Sequence, residues 1–180
     1  MKDLTQIQSK ALAIRAFLFD VDGVLTDGGI IINNDGIESK QFDIKDGFAI
    51  SRLQRLGFVS GIITGRRSEV VEMRARELSV MWLRQGVLEK RVAYEEFKKQ
   101  FNLHDEEIAY IGDDLIDLPI LLRCGLSASP ADGVAEVVAR VDIVMHKNGG
   151  RGAVREFIEL VLKAQGRWSE LVEHYIKESE

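Results

Sequence analysis

The chain has 180 residues, with 24 Lys plus Arg against 29 Asp plus Glu for a formal net charge of −5, and is 46% hydrophobic and 29% charged. That length suits one domain with a sizeable core, the composition is globular, not disordered, and the acidic balance lacks the basic footprint of a nucleic-acid binder. The single cysteine, Cys124, excludes an intramolecular disulfide and fits a reducing, cytoplasmic compartment, while a polar Met1 to Lys10 and the lack of any run near ~18 apolar residues argue against a signal peptide or a membrane span.

In chain order, Ile14 to Phe19 is an apolar run expected as a first buried strand. Gly29 to Phe42 holds two extended runs around Asn33-Asn34-Asp35-Gly36. Asp-Gly favours a tight turn, so a β-hairpin arm is expected over 29–42. A helical segment near 47–56 follows, then a strand over Phe58 to Ile63, a helix near 68–78 with Ser68 as its N-cap, and a weaker strand over Val80 to Leu83. Next come a helix near 89–101, a strand over Ile108 to Ile111, a helix near 114–124, a weaker strand over Leu126 to Ala128, a helix near 132–139 and a strand over Ile143 to Met145. After the Gly-rich turn 149–152, Val154, Phe157, Ile158, Val161 and Leu162 share one helix face, and a second helix is expected near 168–177. Short apolar runs alternating with amphipathic helices are the pattern of βαβ units around a parallel sheet covered on both faces. Two prolines and no Gly/Ser-rich block leave no interdomain linker, so one α/β domain over 1–180 is expected, with a helical tail from 152 to 180.

Asp20 and Asp22 follow directly on the first strand, where open α/β sheets bind ligands. Carboxylates at i and i+2 of a continuing strand share a face and repel unless a cation or proton compensates; the alternative is an ordinary solvated turn. Ile108 to Asp117 repeats the arrangement, with Gly112 and then Asp113, Asp114 and Asp117 crowding one strand end. Oxygen ligands without a His or Cys cluster suit a hard cation, Mg²⁺ more than Ca²⁺. Thr64-Gly65-Arg66 sets a hydroxyl and a glycine after another strand, where backbone N–H groups and the next helix start can receive an anion, although the tripeptide alone is equally an ordinary loop. Lys90 opens a helix, which the macrodipole disfavours, so it is either held by an anion or a solvated surface lysine. Together these groups suit phosphoryl transfer, whose transition state needs charge neutralisation and in-line positioning.

These motifs, in this order, resemble those of the haloacid dehalogenase-like phosphotransferases, from about Phe17 to Glu156. Asp20-Val-Asp-Gly-Val matches the first motif, Thr64 the second, Lys90 the third and Gly112 to Asp117 the fourth. Residues 22–28, Phe42 with Asp46-Gly47, Thr64 to Arg66 and Gly149 to Glu156 look like the cap-less subgroup that hydrolyses 3-deoxy-D-manno-octulosonate 8-phosphate (Kdo8P). The resemblance implies a three-layer Rossmann-like fold with a central parallel sheet, a projecting hairpin and no cap domain. It makes Asp20 the nucleophile that becomes an aspartyl phosphate and Asp22 the general acid/base. Mg²⁺ would be held by the Asp20 and Asp113 side chains and the Asp22 backbone carbonyl. Thr64 would bond the phosphoryl oxygens and Lys90 offset their charge, with Asp117 orienting Lys90 and Asp114 standing behind the ligands. Gly65, Asp46, Arg66 and Arg151 would face the substrate, Arg66 by bidentate capture of a carboxylate. Ala49 departs from the glycine more usual in the subgroup.

The gaps between Asp22 and Thr64 and between Thr64 and Lys90 are too short for an inserted cap, yet closure normally protects such chemistry from water. The resemblance implies a homotetramer in which hairpin 29–42 covers a neighbour's site and Arg151 reaches in. The implied reaction is Mg²⁺-dependent release of phosphate from Kdo8P, in lipopolysaccharide precursor synthesis. The alternatives are a phosphatase for a nine-carbon keto-sugar acid phosphate (KDN or neuraminate 9-phosphate), whose relatives tend to carry Glu at the Arg66 and Arg151 positions, and a receiver-like phospho-acceptor module, which the motif order disfavours. No P-loop, G-x-S-x-G elbow or H-E-x-x-H pair occurs. His104, His146 and His174 are scattered, and Trp82 and Trp168 are expected in the core or an interface.

Overall fold

The computed structural model describes residues 4–177. Helix α1 (Leu4–Ala13) comes first, where no periodicity marks one, because it buries only Ile7 and Ala11. Its Lys10 reaches across to the buried Asp142 at 2.7 Å, which fastens the helix to the sheet edge. Strand β1 (Ala16–Phe19) leads into a hairpin whose β2 (Ile31–Ile32) and β3 (Glu38–Ser39) pair antiparallel, Ile31 opposite Ser39. The hairpin is expected, though its ladder is shorter than the 29–42 arm. Asn33 Oδ1 accepts from the Asp35 and Ile37 amides, and Gly36 takes φ 78°, so side-chain bonding shapes the bend.

Helix α2 (Ile44–Leu53) starts three residues before the expected 47 because Asp43 caps it, accepting from the Lys45 amide at 2.6 Å and the Asp46 amide at 3.2 Å. Then follow β4 (Val59–Thr64), α3 (Glu69–Glu77), β5 (Trp82–Gln85), α4 (Lys90–Phe101) and β6 (Ile108–Ile111). Strand β5 begins two residues later than expected: Ser79, at φ 56°, turns the chain out of α3, and the Val80 amide still bonds back to Ala75. Ser68 sits at the N-cap of α3 as expected, but its side chain makes no capping bond. The expected helix at 114–124 is a 3₁₀ turn, Leu115–Asp117, and a short α5 (Leu118–Leu121), since Asp114 and Asp117 turn their carboxylates onto nearby backbone amides. Strand β7 (Leu126–Ser129), α6 (Ala135–Val138), β8 (Ile143–Val144), α7 (Ala153–Ala164) and α8 (Arg167–Lys177) complete the chain.

Six parallel strands form one sheet in the order β5-β4-β1-β6-β7-β8. Strand β1 sends Phe17 and Phe19 into a core shared with α1, α2, α3, α7 and α8, and Ala16 and Leu18 into the opposite core with α4, α5 and α6. Helices thus cover both faces, the α/β architecture expected of the alternating pattern. Between β1 and β4 lie only the hairpin and α2, and between β4 and β5 only α3. The chain runs outward from β1 to β5, then crosses back to place β6 on the other side of β1. That reversal is the switch point at which open α/β sheets leave a crevice beyond the strand ends.

Candidate active site

Parallel register brings the expected groups to that crevice. Phe19 pairs with Ile62 and Ile111, and the Asp20 amide donates to the Ile111 carbonyl at 3.1 Å, so Asp20 stands between Thr64, the last residue of β4, and Gly112, just beyond β6. Beyond Asp20 the chain coils, the Val24, Leu25 and Thr26 amides all donating to the Val21 carbonyl. Gly23 has φ 89°, and a Cβ there would lie 2.0 Å from Asp113 Oδ2. Only glycine lets this loop reach Asp113. The Gly149–Gly152 turn packs against the same loop, with the Gly150 amide on the Val24 carbonyl at 2.8 Å.

Lys90 is the buried centre of the site, 1% exposed. Its Nζ lies 2.6 Å from both Asp20 Oδ1 and Asp117 Oδ1, so an anion does hold this helix-opening lysine. Asp117 Oδ1 also accepts from the Tyr110 hydroxyl, and its Oδ2 accepts from the Asp113 and Asp114 amides at 3.0 and 3.2 Å. Burial depresses the Lys90 pKa, but the Asp20 and Asp117 carboxylates outweigh it and hold the ammonium above its ordinary value. Burial, then the Asp117 charge, push Asp20 up to about 7 against the pull of Lys90. Burial, then Asp20 and Asp117, push Asp113 up to about 8.

Carboxylate oxygens of Asp20, Asp113 and Asp117 lie within 4.8 Å of one another. When all three carboxylates are ionised, one ammonium leaves two negative charges in excess, and Asp113 Oδ1 is buried with no hydrogen-bond partner. A divalent cation with oxygen ligands fits both observations. Of the three, Asp20 and Asp113 are the ligand candidates, because both oxygens of Asp117 are already engaged.

The remaining expected residues divide. Thr64 is buried, its Oγ1 accepting from the Arg66 amide at 3.4 Å, and Gly65 lies beside it at the mouth. Asp22 is partly exposed at the rim, and Arg66 Nε stands 3.8 Å from its Oδ2. Asp114 is exposed and accepts from the Leu115 amide at 2.6 Å. Arg151 is exposed and holds Asp27 on the Asp20 loop at 3.2 Å. Asp46 is the correction among the substrate-facing residues: it is buried, its Oδ1 accepting from the Arg155 amide at 2.6 Å and its Oδ2 from the Gly152 amide at 3.2 Å. It anchors the start of α7 to α2, and burial pushes it up to about 6 despite those bonds. Of the histidines, His146 pairs with Glu156 at 2.5 Å on the surface.

Two hairpin residues at the site have no place in the motifs. Lys40 Nζ contacts Asp22 Oδ1, and Glu38 Oε1 accepts from Arg66 at 3.0 Å. Extended alternation from Glu38 to Lys40 sets both on one face, the sequence signal that marks them.

A family model described as haloacid dehalogenase-like hydrolase matches residues 83–158. The chain is 42% identical to the Salmonella typhi 3-deoxy-D-manno-octulosonate 8-phosphate phosphatase KdsC, over 92% of this chain and 88% of that protein. Among solved structures, it superposes on the Moraxella catarrhalis Kdo8P phosphatase in complex with magnesium, phosphate and KDO with a TM-score of 0.94, at 39% identity over 96% of this chain and 99% of that one. The cobalt-bound Haemophilus influenzae phosphatase matches with a TM-score of 0.84, at 38% identity over 87% and 92% of the two chains.

Two outcomes are expected. Carboxylates raised from the ordinary 3.8 disfavour the folded state progressively as pH rises through their folded values, so metal-free protein should lose stability between about pH 4 and about pH 8. Mg²⁺ should reverse that loss, seen as a rise in Tm at pH 8 that Asp113→Asn abolishes. Asp46→Ala should lower stability by about 1.5–3 kcal/mol in denaturant titration, as two helix-start amides lose a carboxylate, while leaving KM within about twofold.

Proposed function

The chain belongs to the haloacid dehalogenase-like hydrolase family, and from that premise we propose that it is a Mg²⁺-dependent phosphatase that hydrolyses Kdo8P to 3-deoxy-D-manno-octulosonate and inorganic phosphate. The observation that carries this reading is the buried Lys90 bridging Asp20 and Asp117 beside Asp113, in a chain about two-fifths identical to proteins named for that activity over nearly their whole length.

Asp20 is the nucleophile. Its carboxylate forms a bond to phosphorus as the bond from phosphorus to the sugar oxygen breaks, giving an aspartyl phosphate. Asp22, at the rim, donates a proton to the departing alkoxide. It then takes a proton from the water that cleaves the acyl phosphate, returning both carboxylates to their starting state. Lys90 favours the ionised form of Asp20 and meets the phosphoryl charge, and the Thr64 hydroxyl donates to a phosphoryl oxygen. Asp117 holds Lys90 in place. The Asp20 and Asp113 side chains and the Asp22 backbone carbonyl would hold Mg²⁺, which when bound supplies positive charge to the phosphoryl oxygens. Arg66, exposed beside Asp22, is the carboxylate-recognising group for a sugar acid, with Arg151 and Gly65 at the same mouth.

The same reading includes a homotetramer in the cytoplasm, serving lipopolysaccharide precursor synthesis. Ile30, Ile31, Ile32 and Ile37 of the hairpin are 55–60% exposed, an apolar edge that favours burial against another subunit. The single cysteine is buried and unpaired, and among the described residues no helix is long and apolar enough to cross a membrane.

Phosphate release from Kdo8P, a nine-carbon sugar acid phosphate and hexose phosphates tests the assignment. Mg²⁺-dependent turnover favouring Kdo8P, stopped by chelator and lowered at least about 10³-fold by Asp20→Asn, is expected; preference for another ester discards the substrate. Ile31→Asp with Ile32→Asp should shift the molecular mass measured by light scattering to that of a smaller assembly, and an unchanged mass removes the hairpin interface.

A further inference from the structure

The return strand of the hairpin and the residue just beyond it carry two charged side chains, Glu38 and Lys40, that the mechanism above leaves unused. Lys40 Nζ contacts Asp22 Oδ1 and lies 3.5 Å from Glu38 Oε1. Arg66 puts Nη2 at 3.0 Å from that same Glu38 oxygen and Nε at 3.8 Å from Asp22 Oδ2. Lys40, Asp22, Arg66 and Glu38 therefore close a ring in which every neighbour carries the opposite charge. Exposure within the ring is uneven: the Lys40 side chain is 1% exposed and the Arg66 side chain 45%. A buried ammonium between two carboxylates is held firmly, because moving away from either leaves charge unpaired out of water. An exposed guanidinium is screened and exchanges partners at little cost.

We propose that Lys40 is a positioning residue for the reaction, holding the Asp22 carboxylate where it transfers a proton, with Glu38 bracing the ammonium from the far side. The proposal rests on the phosphatase reading for the role of Asp22, and not on which sugar is the substrate. When a substrate carboxylate draws Arg66 away, Asp22 loses its exposed partner and keeps the buried one. Arg66 then serves recognition while Lys40 serves geometry. Proton transfer needs the donor within about 2.6–3.2 Å of its target, and a misplacement of about 1 Å costs on the order of 10²-fold in rate.

The test compares wild type, Lys40→Met, Lys40→Arg and Glu38→Gln on two esters with Mg²⁺ present. One is Kdo8P, whose alkoxide must be protonated to leave; the other is a nitrophenyl phosphate, whose phenolate leaves without a proton. For Lys40→Met the expected result is a kcat on Kdo8P lowered about 10–100-fold with KM within about threefold. First-turnover nitrophenolate release should fall by less than about threefold, and Lys40→Arg should recover part of the loss. Equal losses on both esters, or a raised KM with kcat kept, would overturn the proposal. If Lys40→Met does not fold, Glu38→Gln, which keeps the ammonium and weakens its brace, must give the same leaving-group split in smaller measure, and its absence is equally decisive. Wild-type cleavage of the aryl ester but not of Kdo8P would sink the substrate assignment alone, and the comparison then runs on whichever sugar phosphate wild type accepts.

Discussion

A lysine almost wholly withdrawn from water holds this site together, and its surroundings follow from the cost of keeping it charged. An ammonium in that position survives only with carboxylates against it, and Asp20 and Asp117 are both at 2.6 Å. Asp117 is itself buried, and Tyr110, Lys90 and the Asp113 and Asp114 amides all donate to its two oxygens, which meets their lone pairs away from water. Those amides belong to the turn that follows β6, so the bonds made to Asp117 also shape the loop presenting Asp113. Gly112 is part of the same constraint, since a Cβ there would fall 2.5 Å from the Asp117 carboxyl carbon. Loop conformation and site charge are one arrangement.

That arrangement contains more negative charge than the protein neutralises. Lys90 serves Asp20 and Asp117, whereas Asp113 faces burial and two like charges with one oxygen unpartnered. The imbalance is useful in phosphoryl transfer, where a hard cation completes the charge and the phosphoryl group arrives with more negative charge of its own. A site whose carboxylate oxygens were all met by protein groups would offer a cation no ligand.

The hairpin divides by chemistry along its length. Its exposed isoleucines near the tip offer an apolar edge, while Glu38 and Lys40 near its return fold back on Asp22 and Arg66 of the same chain. One short element is thereby anchored electrostatically to its own site and free at its far end to meet another surface. Asp46 performs a related task on the opposite side, joining α2 to the start of α7 and so fixing the Gly149–Gly152 turn against the Asp20 loop.

Asp20, Thr64, Lys90 and Asp113 were legible in the chain because each follows or opens a strongly patterned element, and a parallel sheet delivers consecutive strand ends to one edge. The six-stranded architecture was legible for the same reason. Helix α1 was not, since two inward residues make no period, and β5 was displaced because Ser79 adopts a left-handed turn that composition does not announce. Asp46 stands in a motif that suggests substrate contact, yet its partners lie more than a hundred residues onward, at Gly152 and Arg155. Lys40 lies in a short polar run that resembles a solvated arm until the fold covers it. Residue order alone determined which charged groups arrive at the strand ends; tertiary structure decided which are stripped of water and which opposite charge each then meets, because desolvation belongs to the assembled fold and not to any local segment.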